Sequence, residues 1–200
     1  MMAWHLAAAL TGREIRMAGG HGAAHGAENK GVALLIAVLA LFLALSEVGA
    51  KSSQTEALSN NIQAANLWSF FQARTVRQTQ LRTAVEQAEL DKTAENRAAT
   101  EAQQARWSST VSRWESEPAT GEGRRELTAR AREAEAKRDR NMERYHMFEY
   151  SSAAYQVAIV VASASIITGV GLLIWLAGGL GVVGLGLMML GYFAPGLIHF

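Results

Sequence analysis

The last fifty residues, SSAAYQVAIVVASASIITGVGLLIWLAGGLGVVGLGLMMLGYFAPGLIHF (residues 151–200), contain no Lys, Arg, Asp or Glu. A membrane-spanning helix needs about 20 mostly apolar residues, so this stretch is long enough to cross a bilayer twice. Residues 151–177 supply one run, the Gly178-Gly179 pair a break, and residues 180–199 a second run. A helix in a water-soluble protein turns one face to water and carries charges there. The stretch therefore predicts a membrane protein.

A third apolar run, GVALLIAVLALFLALSEVGA (residues 31–50), lies near the start of the chain. Between it and the C-terminal runs, residues 51–150 hold 16 of the 19 basic and 15 of the 18 acidic side chains. We therefore predict an all-α membrane protein. Its three transmembrane helices cover residues 31–50, 151–177 and 180–199, and a long charged helical hairpin, residues 51–150, joins the first to the second.

The charged segment has helical periodicity. Residues 74–114 lack Pro and Gly, and their apolar positions recur every three or four residues, which is typical of a helix or coiled coil. Pro118, Gly121 and Gly123 form the strongest turn signal, so the turn of the hairpin is predicted near residues 116–123. An outgoing arm of residues 53–115 would measure about 95 Å and the return only about 40 Å. The outgoing arm must therefore lie flat or bend, for instance near residues 91–96.

The first thirty residues are rich in Gly, which makes an ordered element costly, so residues 1–30 are predicted to be a disordered tail. Translation could start at Met1 or at Met17. On a helix, the spacing of His21, His25 and Glu28 would suit a divalent metal, but the neighbouring glycines oppose such a preorganised site. We predict no metal site and no cofactor.

Three polar side chains lie in or beside the apolar runs: Glu47, Lys51 and Gln156. An intramembrane carboxylate often marks a proton or ion path. Glu47 lies at the end of its run, however, so an interfacial Glu paired with Lys51 one helical turn later is the favoured interpretation. Gln156 would serve as a hydrogen-bonding contact between helices, and a hydrogen bond to Glu47 is one option.

Aromatic residues follow the first run, at Trp68, Phe70 and Phe71. Two interpretations remain open. In the first, the segment is a helix that lies at the lipid headgroups, where amphipathic aromatic side chains concentrate, or that packs on its neighbours. In the second, one unbroken helix runs straight out of the membrane.

Small residues in the C-terminal runs predict close helix packing, because lipid provides no hydrophobic drive for helices to associate. The predicted packing residues are Ala158, Ala162, Ser165, Gly169, Gly181 and Gly184.

Composition excludes several functions. The chain has no Cys and a net charge of +1, which excludes disulfides and thiolate sites and gives no basic surface for nucleic acid. No phosphate-binding loop or H-E-x-x-H motif occurs. We therefore predict no catalytic residues and no enzymatic activity. Basic residues flank both the first and second runs, so the orientation in the membrane stays open.

Two segments resemble a known family: LALSEVGAKSSQTEALSNNIQAANLWSFFQARTVRQT (residues 43–79) and ESEPATGEGRREL (residues 115–127). Together with the three-span layout, they are similar to a bacterial membrane family catalogued as domain of unknown function 4337. The resemblance covers residues 30–200. It implies a bacterial inner-membrane protein without an established activity, and it supplies no ligand or catalytic residues.

These observations lead to two expectations of function. The first is a membrane-anchored structural or interaction protein that presents its helical hairpin, with the lipid bilayer and either further copies of itself or other membrane proteins as partners. The second is a subunit of a small oligomeric channel or transporter, which would use Glu47 and Gln156.

Overall fold

The structure, a computed structural model, describes the backbone of residues 22–197 and the side chains of residues 30–197. These residues form four α-helices and no strand, which confirms the all-α prediction for this part of the chain. The helices are α1 (Gly22–Leu90), α2 (Arg97–Glu115), α3 (Arg124–Thr168) and α4 (Leu172–Phe193), followed by a short 3-10 turn (Pro195–Leu197).

The described chain divides into two compact units. The apolar unit comprises residues 22–50 and His146–Leu197, and the charged unit comprises Lys51–Tyr145. Helices α1, α3 and α4 are each long and apolar enough to cross a membrane, judged by length and composition.

Within the apolar unit, α1, α3 and α4 pack around small and apolar residues. Val32 contacts Ala162 and Ala177 in one buried cluster, and Leu39 contacts Tyr155 in another. The outer surface is also apolar. Its exposed large side chains include Leu34, Val38, Leu41, Leu45, Val157, Val160, Ile167, Leu172, Trp175, Val182, Val183 and Phe193.

The charged unit is an antiparallel helical hairpin. Its outgoing arm is α1 up to Leu90, and its returning arm is α2 followed by the first part of α3. Gln78 contacts the backbone of Val111, whereas the earlier Leu67 packs on the later Leu127. An earlier residue of α1 thus contacts a later residue of the returning arm, so the two arms run in opposite directions.

The hairpin reverses at residues 91–96 and not near residues 116–123 as predicted, although the chain does turn there, between α2 and α3. At the reversal, the Asn96 Oδ1 accepts a hydrogen bond from the Thr93 amide at 2.7 Å, and the Asn96 side-chain amide donates to the Asp91 carbonyl at 3.2 Å. Residues 116–123 interrupt the returning arm, which then continues as α3. Pro and Gly mark where a helix ends but carry no information about the direction of the next helix.

Two further boundaries differ from the prediction. Helix α3 ends at Thr168 because Gly169 takes a left-handed φ of 70°, which ends a helix readily at glycine. The second apolar helix therefore ends at Thr168, before the predicted residue 177. The third run lies in α4, Leu172–Phe193, with the Gly178-Gly179 pair inside the helix rather than at a break.

Helix α1 begins at Gly22, so residues 22–30 are helical rather than part of a disordered tail. Residues 1–21, which include Met1, Met17 and His21, lie outside the described residues, as do residues 198–200. The helix also continues without a break from the apolar run into the charged segment. Two interpretations of residues 51–74 were open, and the structure agrees with the unbroken helix.

Candidate functional site

The three predicted polar residues stay apart. Glu47, Lys51 and Gln156 are all exposed. The amide of Gln156 donates to the Ser152 hydroxyl at 3.4 Å, one turn earlier on its own helix. Among the described residues, no hydrogen bond or ion pair joins Glu47 to either of the other two.

Five of the six predicted packing residues lie against neighbouring helices. Ala158 and Ala162 are fully buried, and Ser165 is nearly so. A Cβ atom added at Gly184 would lie 2.9 Å from the Tyr155 ring, and one at Gly181 would lie 2.8 Å from a methyl group of Leu39. At these two glycines the absent side chain is what allows the approach.

The sixth, Gly169, is not a packing residue. A Cβ added there would have no neighbour within 4 Å, and the residue is exposed. Gly169 has a positive φ and ends α3 instead.

The apolar unit also contains a series of buried hydrogen bonds that the sequence patterns did not predict. The hydroxyls of Ser46 and Ser151 are 3.0 Å apart, and Ser151 donates to the Gly184 carbonyl at 2.8 Å. These two hydrogen bonds link α1, α3 and α4. The sequence does carry a signal, since Ser46 follows the buried Val32 and Leu39 at heptad spacing.

The aromatic residues after the first run pack inside the charged unit. Trp68 and Phe71 contact Leu127 and its neighbours, with their rings edge to face at 5.5 Å. The Trp68 indole N–H donates to Glu135 Oε1 at 2.9 Å. Phe70 is partly exposed, and the Arg74 guanidinium lies over its ring at 5.2 Å.

Beside these rings lies a polar cluster within the charged unit. Arg74 is nearly buried and pairs with Glu122 at 2.6 Å. Arg124 lies over the Phe71 ring at 4.9 Å and donates both to Gln78 Oε1 at 2.8 Å and to Glu115 Oε2 at 2.9 Å.

Glu115 is held as an anion in this cluster. The hydrogen bond from Gln78 lowers the pKa of Glu115, and the adjacent Arg124 and Arg125 lower it further, against a smaller opposing effect of burial. Glu126 has a lowered pKa for a similar reason, since it accepts from the Ser116 hydroxyl and the Glu117 amide. Such carboxylates bind cations and do not donate protons at neutral pH.

The sequence patterns did not predict this polar cluster either. Arg74 and Gln78 continue the series of buried α1 positions that includes Ala57, Ala64 and Leu67, at spacings of three, four or seven. A polar residue on such a seam predicts a buried partner, but the spacing does not identify Glu115, Glu122 or Arg124 as those partners.

A groove of about 730 Å³ lies on the charged unit at the start of its outgoing arm. Among the residues that the structure describes, its wall contains two cations, no carboxylate, and both amide and apolar side chains. The lining residues are Lys51, Gln54, Thr55, Ala57, Leu58, Asn61, Arg138 and Met142. Across residues 30–197, no group of three or more His, Asp or Glu side chains is arranged to hold a metal ion.

Comparison with known proteins gives one match. The sequence profile of the family described as Domain of unknown function (DUF4337) matches residues 28–194. No curated protein and no solved structure matches the chain.

Proposed function

The chain belongs to the family of the domain of unknown function 4337, and we propose that it is a membrane-anchored structural or interaction protein. The apolar unit is the anchor, and the charged unit is the part that meets other molecules. One observation carries the proposal: the apolar unit is apolar outside and hydrogen-bonded inside. Its exposed surface carries large hydrophobic side chains, while Ser46 and Ser151 pair in its interior. In water this arrangement would be unfavourable, whereas lipid accommodates it.

The positions of the exposed aromatic residues support the same anchor. Trp175 lies in the first turn of α4, and Tyr192 and Phe193 lie in its last turn, all well exposed. Aromatic side chains concentrate at the two membrane–water interfaces. A 22-residue helix of about 33 Å matches the hydrocarbon thickness between those interfaces.

A structural role, rather than catalysis, suits the charged unit. Its carboxylates with lowered pKa, such as Glu115 and Glu126, remain ionised at neutral pH and serve as fixed partners for hydrogen-bond donors. A general acid needs the opposite shift. We propose no enzymatic activity, a homo-oligomer or a complex with other membrane proteins, and, from the family resemblance, residence in the bacterial inner membrane.

The test combines extraction with crosslinking. We expect the full-length protein to resist alkaline carbonate extraction of membranes, and we expect amine crosslinking in native membranes to give discrete higher-mass species. Single-Cys variants Ser109→Cys and Ala3→Cys, labelled with an impermeant maleimide, would then report the side of the charged unit and of the N-terminus. Release by carbonate would disprove the anchor, and crosslinking that yields only monomers would disprove the interaction role.

A channel or transporter subunit is the second candidate, because Glu47 and Gln156 are exposed on the outside of the apolar unit. An ion path lined by Glu47 and Gln156 would therefore lie between several copies of the chain rather than within one copy. Reconstituted protein would have to conduct ions, and Glu47→Gln would have to reduce the flux. Absence of flux, or flux unchanged in that variant, removes this candidate.

A further inference from the structure

The groove at Lys51 and Arg138 combines features that select an anionic amphiphile. Its two cations lie on opposite arms of the hairpin, on α1 and α3. No carboxylate lines it, although acidic residues are abundant elsewhere in the charged unit. We propose that this groove binds the headgroup of an anionic phospholipid from the surrounding bilayer, an inference that rests on the membrane anchor proposed above.

The depth of the groove fits this ligand. Lys51 is the first residue after the apolar run, and Gln54 and Thr55 follow within about 6 Å along α1. The headgroup layer on each face of a bilayer is about 5–8 Å thick. If residues 31–50 cross the hydrocarbon, these three side chains lie at the level of the lipid phosphates, where basic residues attract anionic headgroups.

Arg138 has donors to spare for a ligand. Its Nε donates to Asp139 Oδ1 at 2.8 Å, and its Nη1 donates to Asn61 Oδ1 at 3.4 Å. A guanidinium carries five N–H donors, so three remain. Lys51 contributes three more as an ammonium group. Because Arg138 already pairs with Asp139, the groove keeps about one unit of positive charge, which suits the single negative charge of a phosphodiester.

Apolar residues of the groove are exposed, and no other part of residues 30–197 covers them. Leu58 is 59% exposed and Met142 is 37% exposed, and Ala57 forms part of the same wall. Leu58 lies about 10 Å beyond Lys51 along α1, so the headgroup of the lipid, and not its acyl chains, would lie against this wall. We assign the groove to a lipid rather than to a soluble anion because Lys51 directly follows the apolar run, where basic residues attract anionic headgroups.

Native mass spectrometry of the full-length protein in detergent tests this site. We expect added phosphatidylglycerol to be retained in preference to phosphatidylcholine. Lys51→Gln and Arg138→Gln should each weaken retention roughly fivefold, the effect of about one cation at a lipid surface. The controls Lys30→Gln and Arg140→Gln remove the same charge outside the groove and should leave retention within about twofold. Circular dichroism verifies that all variants keep their helix content.

Other outcomes overturn the proposal. Equal retention of the two lipids, or equal effects of groove and control variants, would refute the site. Binding of inorganic phosphate with the same dependence on Lys51 and Arg138, but without a preference for phosphatidylglycerol, would show an anion site that ignores lipid. A dimer lost in Leu58→Gln and insensitive to lipid would assign the groove to a second copy of the chain.

Insertion into neutral vesicles separates this proposal from the membrane anchor. Protein that inserts into phosphatidylcholine vesicles but shows no preference for phosphatidylglycerol would refute the lipid site and leave the anchor intact. Protein that inserts into neither vesicle type would refute both.

Discussion

Tyr155 and Gly184 show how single residues determine the packing of the apolar unit. Tyr155 is almost fully buried, and its ring occupies the space that a side chain at residue 184 would need. Gly184 also supplies the carbonyl that Ser151 binds. The glycine thus serves both steric fit and hydrogen bonding at a contact between α3 and α4.

Gly184→Leu should therefore destabilise the apolar unit. The new side chain overlaps the Tyr155 ring, and overpacking of this kind costs about 1–3 kcal/mol. Gly186→Leu is the matched control, since a Cβ at Gly186 has no neighbour within 4 Å. Thermal unfolding in detergent should show a lower midpoint for the first variant and little change for the second. Equal midpoints would contradict the packing of α4 on α3.

Glu115 should make the stability of the charged unit depend on pH. Its folded pKa is below the ordinary value of 4.5, so its ionised form stabilises the folded state above about pH 4.5. This contribution is lost as the pH falls through the folded pKa.

The expected result is a thermal midpoint of the wild type that drops as the pH is lowered below about 4.5. Glu115→Gln should be less stable than the wild type at pH 7 and should lose less on acidification. Glu86→Gln, at an exposed position of α1, should keep the wild-type profile. If the Glu115 and Glu86 variants behave alike, the polar cluster does not contribute as described.

At the scale of elements, the connection between α3 and α4 depends on the backbone of one glycine. Gly169 has a φ of 70°, whereas Gly171, two residues later, has a φ of −60°. Both are exposed and have open space around their Cα atoms. Any difference between Ala substitutions at these positions therefore reports backbone conformation and not steric fit.

We expect Gly169→Ala to lower stability by about 1 kcal/mol, because a left-handed conformation strains an L-residue. Gly171→Ala should be neutral or slightly stabilising, since Ala restricts the unfolded chain and suits a helical φ. Denaturant or thermal unfolding in detergent measures both. A larger loss at Gly171 than at Gly169 would mean that the helix boundary lies elsewhere.

At the scale of the whole molecule, two compact units of opposite surface character share α1 and α3. The apolar unit turns hydrophobic side chains outward, and the charged unit turns ion pairs outward, such as Lys137 with Glu133 at 2.8 Å. The arrangement of the charged unit depends on where the chain reverses, at residues 91–96.

Cysteine crosslinking distinguishes this reversal from one at residues 116–123. The chain has no Cys, so Leu67→Cys combined with Leu127→Cys should crosslink efficiently, because the two residues share a buried cluster. Leu67→Cys combined with Val111→Cys is the control. Val111 contacts Gln78, about 16 Å further along α1, so this pair should not crosslink. A hairpin that reversed at residues 116–123 would hold Leu67 far from both Leu127 and Val111, so absence of the Leu67–Leu127 crosslink would contradict the reversal at residues 91–96.

The sequence alone determined the all-α architecture and the approximate positions of the apolar helices. Runs such as residues 151–177 carry this information locally, because the absence of charge over more than 20 residues depends on no other part of the chain. The spacing of small residues also drew attention to Ala158 and Ala162 on α3 and to Gly184 on α4, which are buried in the structure.

Only the tertiary structure decided where the hairpin reverses and which polar side chains meet. Pro118 and the nearby glycines interrupt a helix wherever they occur, but the direction of the next helix depends on which faces bury each other. Likewise, Arg74 and Arg124 belong to segments 50 residues apart, and spacing along one helix cannot reveal a partner on another. Those contacts arise from the packing of the two arms, which no local pattern encodes.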